Sequence, residues 1–150
     1  MTAQDRMRQI TSVQVVTPDL LRLVWNDGTV VLLEGRAALG DALYRKLAAD
    51  GAFTAVTLGD WGHGLAWPSG DEVGADSLWL ETLSAQGRDD VRAFVEWRLR
   101  NGLSLSKAAE ALGISRRMVA YYANGEKIVP RTVLLACKGW ERLAETGAAA

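Results

Sequence analysis

The sequence is poor in the residues that cross-link chains or bind metals. It has one cysteine, Cys137, and one histidine, His63, in 150 residues. A single thiol excludes a disulfide within the chain and a cysteine-rich zinc site, because both need further cysteine ligands or partners. This cysteine usage is typical of a reducing compartment, and we expect Cys137 to pack in a core.

Long apolar segments are also missing. No apolar run approaches the ~18 residues needed to cross a bilayer, and the first residues lack the apolar stretch of a secretory signal. We therefore expect a cytoplasmic protein that does not enter a membrane. A content of 49% hydrophobic and 23% charged residues indicates a soluble globular chain with one ordinary domain or two small ones.

Catalytic motifs are absent from the sequence. It contains no G-x-S-x-G, no phosphate-binding glycine loop, no Cys-x-x-Cys pair and no Cys–His nucleophile arrangement, so we expect neither enzyme activity nor a cofactor. His63, with Asp60, Asp71 and Glu72 nearby in sequence, suggests a metal or acid–base site. A role in loop structure is the simpler interpretation, because one imidazole between glycines supplies a single ligand.

Charge is distributed unevenly along the chain. Residues 1–90 contain 7 Lys and Arg against 13 Asp and Glu, a net charge of −6, whereas residues 91–150 contain 10 against 5, a net charge of +5. A basic region is attracted to phosphates and an acidic region is repelled by them. The pattern indicates that only the C-terminal part contacts a nucleic acid, unless the asymmetry has no function.

The first half of the chain predicts a small sheet with a packed helix. Apolar alternation indicates strands, the Asp27-Gly28 dipeptide is typical of a tight hairpin turn, and a polar stretch at 84–89 marks a linker. The predicted elements are strands at 10–16, 20–25 and 29–33, a helix at 36–49, strands at 53–58 and 65–67, and a short helix at 77–83.

Tryptophans are concentrated in this half. Trp25, Trp61, Trp67 and Trp79 are interpreted as core residues, and the alternative is a stacking platform for bases or a ligand. The order of predicted elements, with Asp27-Gly28, Phe53 and the Trp67-Pro68-Ser69-Gly70 box, resembles a small bacterial domain family of unknown function over residues 8–83. That resemblance implies no activity.

The segment from residue 105 to 124 predicts two short helices that cross at a tight turn. Ala108 and Ala109 lie on the inner face of the first helix, and Ala109 is small enough to let a second helix pass close by. Gly113 fits the left-handed residue just past a helix end. Ser115 follows as an N-cap whose hydroxyl accepts a hydrogen bond from the next turn. The expected structure is a helix-turn-helix.

The second of these helices is expected to have an apolar and a polar side. Val119 and Tyr122 recur on the inner side. The residues expected on the outer side are Arg116, Arg117, Ala120, Tyr121 and Asn124.

Further helices are predicted before and after this segment. Asp89 or Asp90 is expected to cap a helix that ends at Asn101-Gly102. Pro130, whose fixed φ suits a first turn, is expected to begin a helix from about Arg131 to Leu143.

These residues resemble the helix-turn-helix of the lambda-repressor and Cro-like (XRE) family of bacterial transcriptional regulators, over about residues 90–143. The family's small residue corresponds to Ala109, its turn glycine to Gly113 and its frequent closing Asn-Gly to Asn124-Gly125. The chain departs from the family at Leu105, where many members carry a polar residue that contacts the DNA backbone. The expected fold class is α+β: a small antiparallel sheet domain at 1–84, then an all-α lambda-repressor-like domain at 85–150.

The resemblance implies sequence-specific binding of double-stranded DNA by a transcriptional regulator. At the start of the second helix the helix dipole disfavours Arg116 and Arg117 by about 0.3–1 kcal/mol each, a cost that contact with a guanine edge or a phosphate would offset. The alternative is two solvated arginines. The candidate DNA-binding residues are Ser106, Ser115, Arg116, Arg117, Ala120, Tyr121, Asn124 and Lys127.

Three questions about partners stay open at the level of sequence. One short helix reads only a few base pairs, so we expect a homodimer, paired through the helix at 131–143 or through a strand edge. The acidic first domain is a candidate surface for a protein partner. The chain is then either a regulator, an antitoxin-like protein that holds a partner and represses its own operon, or a helix-turn-helix used only as a structural or protein-binding module.

Overall fold

Two compact units, residues 8–87 and 88–147, make up the part of the chain that the computed structural model describes. The first unit combines strands and helices, and the second contains helices without strands. The predicted α+β class is therefore confirmed. Among the helices of residues 8–147, none is long and apolar enough to cross a membrane.

The first unit contains two three-stranded antiparallel sheets, in the orders β1-β2-β3 and β4-β5-β6. The sequence pattern predicted neither β6 nor the separation into two sheets. The strands are β1 (Ile10–Thr17), β2 (Leu20–Trp25), β3 (Val30–Glu34), β4 (Thr57–Leu58), β5 (Gly64–Ala66) and β6 (Glu72–Gly74). The helices are α1 (Gly35–Leu39), α2 (Asp41–Ala49) and α3 (Ala75–Ala85), with 3-10 turns at Phe53–Ala55 and Asp60–Gly62.

Alternation along β2 and β3 defines the core of the first unit. Leu21, Leu23 and Trp25 are buried, while the residues between them are partly exposed. Leu33 pairs with Leu21 in register, which continues the buried face onto β3. The opposite face of this sheet keeps Leu32 exposed. One face therefore packs in the unit and the other faces solvent, as the period of two along a strand requires.

Two predicted elements of the first unit are wrong in detail. The helix expected over 36–49 is divided at Gly40, whose φ of 84° is outside the helical region. The strand expected from residue 53 to 58 begins instead as a 3-10 turn that buries Phe53, and only Thr57–Leu58 is strand. Helical and strand periodicity cannot distinguish such short apolar runs.

Three of the four tryptophans of this unit lie in its core, as the packing interpretation predicted. Trp25 and Trp79 meet edge to face with ring centroids 5.1 Å apart, and the Trp25 indole donates to the Thr82 hydroxyl at 3.1 Å. The Trp67 indole donates to the Phe53 carbonyl at 3.0 Å. Trp61 differs, since it is 84% exposed and has a φ of 60°.

The second unit is a bundle of four helices. Its core contains Phe94 and Trp97 from the first of them, and the Phe94 ring lies 5.6 Å from that of Tyr122. Pro130, with φ −64°, precedes the last helix as predicted. The four helices are α4 (Asp89–Arg100), α5 (Leu105–Leu112), α6 (Arg116–Ala123) and α7 (Arg131–Glu145).

Candidate nucleic-acid interface

The turn between α5 and α6 has the geometry that the sequence predicted. Gly113 has φ 69° and ψ 32°, the left-handed conformation, and its N–H donates to the Ala109 carbonyl at 2.9 Å. Ser115 caps α6, because its hydroxyl accepts from the Met118 N–H at 3.1 Å. Ser104 caps α5 in the same way through the Lys107 N–H. Three residues, 113–115, thus join two helices that are both capped.

Small side chains let α5 and α6 pack closely. Ala108 and Ala109 on α5 are buried, as are Val119 and Ala123 on α6. Leu105, which occupies the position where many family members carry a polar residue, is fully buried. It is therefore part of the core, so its side chain is not available for the DNA-backbone contact that a polar residue makes at this position in many family members.

A cation–aromatic row lies on the exposed side of α6 and the loop after it. Tyr121 is at its centre, with the Arg117 guanidinium carbon 5.9 Å and the Lys127 ammonium 5.0 Å from the ring centroid. Each such contact contributes about 0.5–1 kcal/mol at an exposed site. Arg117 and Lys127 are exposed and Tyr121 is half-buried. The ring therefore orders two cations on one surface.

Two of the residues expected on the outer side of α6 face α5 instead. Ala120 is only 6% exposed, so its predicted position on the outer side of α6 is wrong, and its contact with DNA stays a prediction that this burial does not favour. Arg116, one turn earlier on the same side, donates from Nε to the Ser106 hydroxyl at 3.1 Å. The apolar stripe of α6 is wider than Val119 and Tyr122 alone indicated, because it also includes Ala120 and Ala123.

The other candidate residues are distributed around this row. Ser106 and Ser115 are exposed at the N-terminal ends of α5 and α6, and Asn124 is half-buried at the C-terminal end of α6. The structure thus brings together Arg117, Tyr121 and Lys127, and pairs Arg116 with Ser106. Ser115 has a structural role in capping.

The loop after α6 is held by two residues that sequence reasoning placed in the linker and a helix cap. Arg88 donates from Nη1 to the Gly125 carbonyl at 2.9 Å and from Nη2 to the Lys127 carbonyl at 3.4 Å. The Asp90 carboxylate accepts from the Val129 N–H at 2.9 Å. These partners are 37 to 39 residues apart in sequence, so no local pattern could have indicated them.

The Asp90 carboxyl has a lowered pKa. Partial burial by itself raises its pKa, but hydrogen bonds from Arg88 and from the N–H groups of Val129 and Val91 outweigh this effect and hold the pKa below its ordinary value of 3.8. Arg88 and Asp90, which we call the clamp, therefore hold the loop through an ion pair and backbone hydrogen bonds. The clamp positions Lys127 beside Tyr121.

His63 shows no arrangement that would favour metal chemistry. Its Nε2 lies 3.5 Å from Nε2 of Gln9, an exposed contact at the edge of the first unit. Among residues 8–147, no three His, Cys, Asp or Glu side chains are grouped so as to hold a metal ion.

The geometry of the second unit defines a helix-turn-helix protein. A family model described as helix-turn-helix matches residues 95–137, from the middle of α4 to the middle of α7. The chain is also similar, at 34% identity and a TM-score of 0.58, to the crystal structure of NE0471 from Nitrosomonas europaea ATCC 19718, a candidate DNA binding protein. That match covers 90% of this chain and 87% of that chain. No curated protein was found to match.

The chain therefore belongs to the helix-turn-helix family of the lambda-repressor and Cro-like (XRE) type, and it is a relative of NE0471. The family predicted from the residues of α5, the turn and α6 is confirmed. Because the similarity to NE0471 extends over nine tenths of the chain, it includes residues of the first unit as well as the second.

Proposed function

We propose that the protein binds double-stranded DNA in a sequence-specific manner and regulates transcription in the bacterial cytoplasm. The observation that carries this proposal is the row of Arg117, Tyr121 and Lys127 on the exposed side of the second helix of a helix-turn-helix. This helix is the one whose N-terminal residues reach base edges in the major groove. No catalytic role is proposed.

The exposed cations have distinct roles in this proposal. Arg117 lies in the first turn of α6, where an arginine binds guanine O6 and N7 with two hydrogen bonds. Lys127 lies beyond the end of α6 in the clamped loop and neutralises a phosphate. Arg116 is held by Ser106 and stabilises the junction of α5 and α6, so its effect on DNA is through the placement of α6.

The two units are proposed to be separate functional domains, divided near residues 84–88. Residues 88–147 carry 11 Lys and Arg against 7 Asp and Glu, whereas residues 8–87 carry 5 against 10. The long-range attraction of DNA therefore acts on the second unit, and repulsion keeps the first unit away from phosphates.

Selection of bound duplexes from a random pool tests the proposal. We expect enrichment of one short motif. The affinity of the protein for that motif should fall as the salt concentration rises. Enrichment without any motif would contradict sequence specificity. An absence of salt-dependent binding to every duplex would mean that the helix-turn-helix is a structural or protein-binding module. A purified Arg117→Ala variant is the matched control for specific enrichment.

We further propose that the protein acts on DNA as a homodimer with two half-sites. Arg117, Tyr121 and Asn124 offer too few base contacts for one operator to be distinguished in a genome, and a two-fold pair doubles the free energy of recognition. A palindromic motif in the selection would support this part, and a single unrepeated motif would contradict it.

A second candidate function is the binding of a protein partner by the first unit. The observation that favours it is the exposed apolar surface of this unit: Val30 and Leu32 on the outer face of the β1-β2-β3 sheet, and Trp61 in the turn after β4. An antitoxin-like protein would use such a surface. A partner that co-purifies in stoichiometric amount would support this function if Leu32→Gln or Trp61→Ser abolishes the co-purification. Both variants should still bind DNA. Unchanged co-purification with both variants would contradict it.

A further inference from the structure

The loop after α6, residues 124–130, is fixed mainly by hydrogen bonds. Glu126, Lys127 and Ile128 are exposed, Ile128 to 77%, and Val129 is the only buried residue of the loop. A segment that buries so little apolar surface has few packing contacts to hold its conformation. Its hydrogen bonds therefore decide where its charged side chains lie.

These hydrogen bonds come from two helices. From α6, the Tyr121 carbonyl accepts from the Glu126 N–H at 2.9 Å and from the Lys127 N–H at 3.4 Å. From the start of α4, the Arg88 guanidinium donates to the Gly125 carbonyl at 2.9 Å and to the Lys127 carbonyl at 3.4 Å. The backbone of Lys127 is therefore held on both sides of its side chain, at its N–H by α6 and at its carbonyl by Arg88.

The guanidinium of Arg88 is used inside the protein. Its Nε and Nη2 donate to the two carboxylate oxygens of Asp90 at 3.3 and 3.4 Å, in addition to the bonds with the two loop carbonyls. These bonds use all three nitrogens of the fork, and the Asp90 carboxylate balances the charge. Arg88 is therefore poorly placed to bind a phosphate itself, although it holds the residue that we expect to do so.

The loop carries opposite charges at consecutive positions. Glu126 and Lys127 are both exposed, and in the held loop the Lys127 ammonium lies 5.0 Å from the ring centroid of Tyr121, on the exposed side of α6. A loop that moved freely would bring the Glu126 carboxylate to a phosphate as readily as the Lys127 ammonium, and the two effects would cancel. The way in which the backbone is held therefore decides whether the loop attracts DNA.

We propose that Arg88 is a positioning residue for DNA binding, which contacts no DNA and acts by holding the loop so that Lys127 meets a phosphate. The inference rests on the proposed function, because it requires α6 and Lys127 to face the duplex. It predicts that loss of Arg88 costs as much affinity as loss of Lys127, and that the two losses do not add.

Titration of the full chain with a fluorescein-labelled mixed-sequence duplex of ~20 base pairs, at several salt concentrations, tests this prediction. A phosphate contact acts on every sequence, so one fixed duplex is sufficient. We expect Arg88→Gln and Lys127→Gln each to weaken binding roughly three- to tenfold and to lower the salt dependence by about one ion. The double variant should bind like either single variant, because Arg88 acts through Lys127.

Two further variants separate position from charge. Arg88→Lys keeps the positive charge, but an ammonium cannot reproduce the fork of hydrogen bonds, so it should bind like Arg88→Gln. Arg100→Gln is the matched control, because Arg100 lies on the same helix and pairs with Glu141 as Arg88 pairs with Asp90. Its binding should stay within about twofold of that of the unmodified protein, because screening weakens the effect of a distant charge.

Replacement of Glu126 tests the orientation of the loop. In the Arg88→Gln background, Glu126→Gln should restore part of the lost affinity, because the released loop no longer brings a carboxylate to the phosphates. In the unmodified background the same change should have a smaller effect. Equal gains in the two backgrounds would contradict a role of Arg88 in directing Lys127 rather than Glu126 to DNA.

Hydrogen exchange without DNA measures the loop itself. The Glu126 and Lys127 amides should exchange at least about tenfold faster in Arg88→Gln, with the amides of α5 unchanged. A thermal melt shows whether the second unit stays folded, and Arg88→Lys, which keeps a cation beside Asp90, is used if Arg88→Gln unfolds it.

Three results would overturn the proposal while DNA binding stands. Additive losses in the double variant would show that Arg88 contacts DNA itself. Full binding by Arg88→Lys would show that charge alone is needed, and full binding by Arg88→Gln would show that the loop does not need Arg88. If the unmodified protein does not bind the duplex even at low salt, the proposed DNA binding fails, and this inference fails with it.

Discussion

At the scale of single residues, Arg117 carries the proposed sequence preference. Arg117→Ala should weaken binding of the selected motif by about 1–3 kcal/mol and relax preference at one base position, because a base-edge contact carries sequence information. Titration of the motif and of its single-base variants measures both effects. Arg45→Ala, a change of the same charge at an exposed site in the first unit, is the control.

A different outcome would give Arg117 a different role. If Arg117→Ala weakens every duplex equally and lowers the salt dependence by about one ion, this arginine neutralises a phosphate. If the variant binds like the unmodified protein, Arg117 is a solvated arginine.

Trp61 is the residue whose backbone conformation is least expected. A non-glycine residue at φ 60° costs of order 1 kcal/mol, and an 84% exposed side chain buries little surface to offset that cost. Trp61→Gly should therefore raise the free energy of unfolding of the first unit by about 0.5–1 kcal/mol in a denaturant titration. Trp61→Ala keeps a Cβ and the strain, so it should not stabilise. A loss of stability in Trp61→Gly would show that the side chain packs in a way its exposure does not indicate.

At the scale of elements, the turn between α5 and α6 depends on one backbone conformation. Gly113→Val should destabilise the second unit by at least about 1 kcal/mol, because a β-branched residue is strained at φ 69° even though its Cβ would meet nothing within 4 Å. A thermal melt should show the transition of the second unit lowered and that of the first unit unchanged. Gly113→Asn, which tolerates the left-handed region, should lose less. Equal losses would point to a cause other than positive φ.

The loop that presents Lys127 depends on the Asp90 carboxylate. A carboxyl group with a lowered native pKa contributes stability that is present above its unfolded value, near 3.8, and is lost as the pH falls through the native value. Hydrogen exchange of the Val129 amide should therefore be slow at neutral pH and become faster only as the pH falls well below 3.8, after correction for intrinsic exchange. Asp90→Ala should exchange fast at both pH values. If its Val129 amide stays protected, the loop is held by Arg88 without Asp90.

The helix-turn-helix could be predicted from sequence because its determinants are local. Gly113, Ser115 and Ala109 each act through contacts within one or two turns, so their identity and spacing were sufficient. Gly40 was missed because a helix with a break keeps the same apolar spacing on either side. Ala120 was wrongly predicted on the outer side of α6, because alanine occurs on both buried and exposed faces and its methyl group does not indicate which.

The remaining features depend on contacts that are distant in sequence. The hydrogen bonds of Arg88 with the loop after α6 join residues 37 and 39 apart, and nothing in the composition of the linker indicates them. The partners of Trp25 and Trp67 likewise lie 57 and 14 residues away. Exposure of Trp61 follows from a turn conformation that glycine-rich sequence permits but does not require.

At the scale of the whole molecule, the net charge changes sign at the same boundary as the proposed functions. The acidic first unit and the basic second unit differ in sign, so binding to DNA should depend on salt through the second unit alone. A specific regulator needs a surface that contacts DNA and a second copy of that surface, which doubles the free energy of recognition. We propose that α6 supplies the first and that a two-fold pair of copies supplies the second.

The arrangement of half-sites provides the last prediction. A two-fold dimer with one α6 on each copy should bind half-sites about 34 Å apart, one turn of B-DNA, on the same side of the duplex. Insertion of five base pairs between the half-sites turns one of them to the opposite side, so affinity should fall to that of a single half-site. If the five-base-pair insertion does not change the affinity of the unmodified protein, two copies bind independently. The dimer then has no role in recognition.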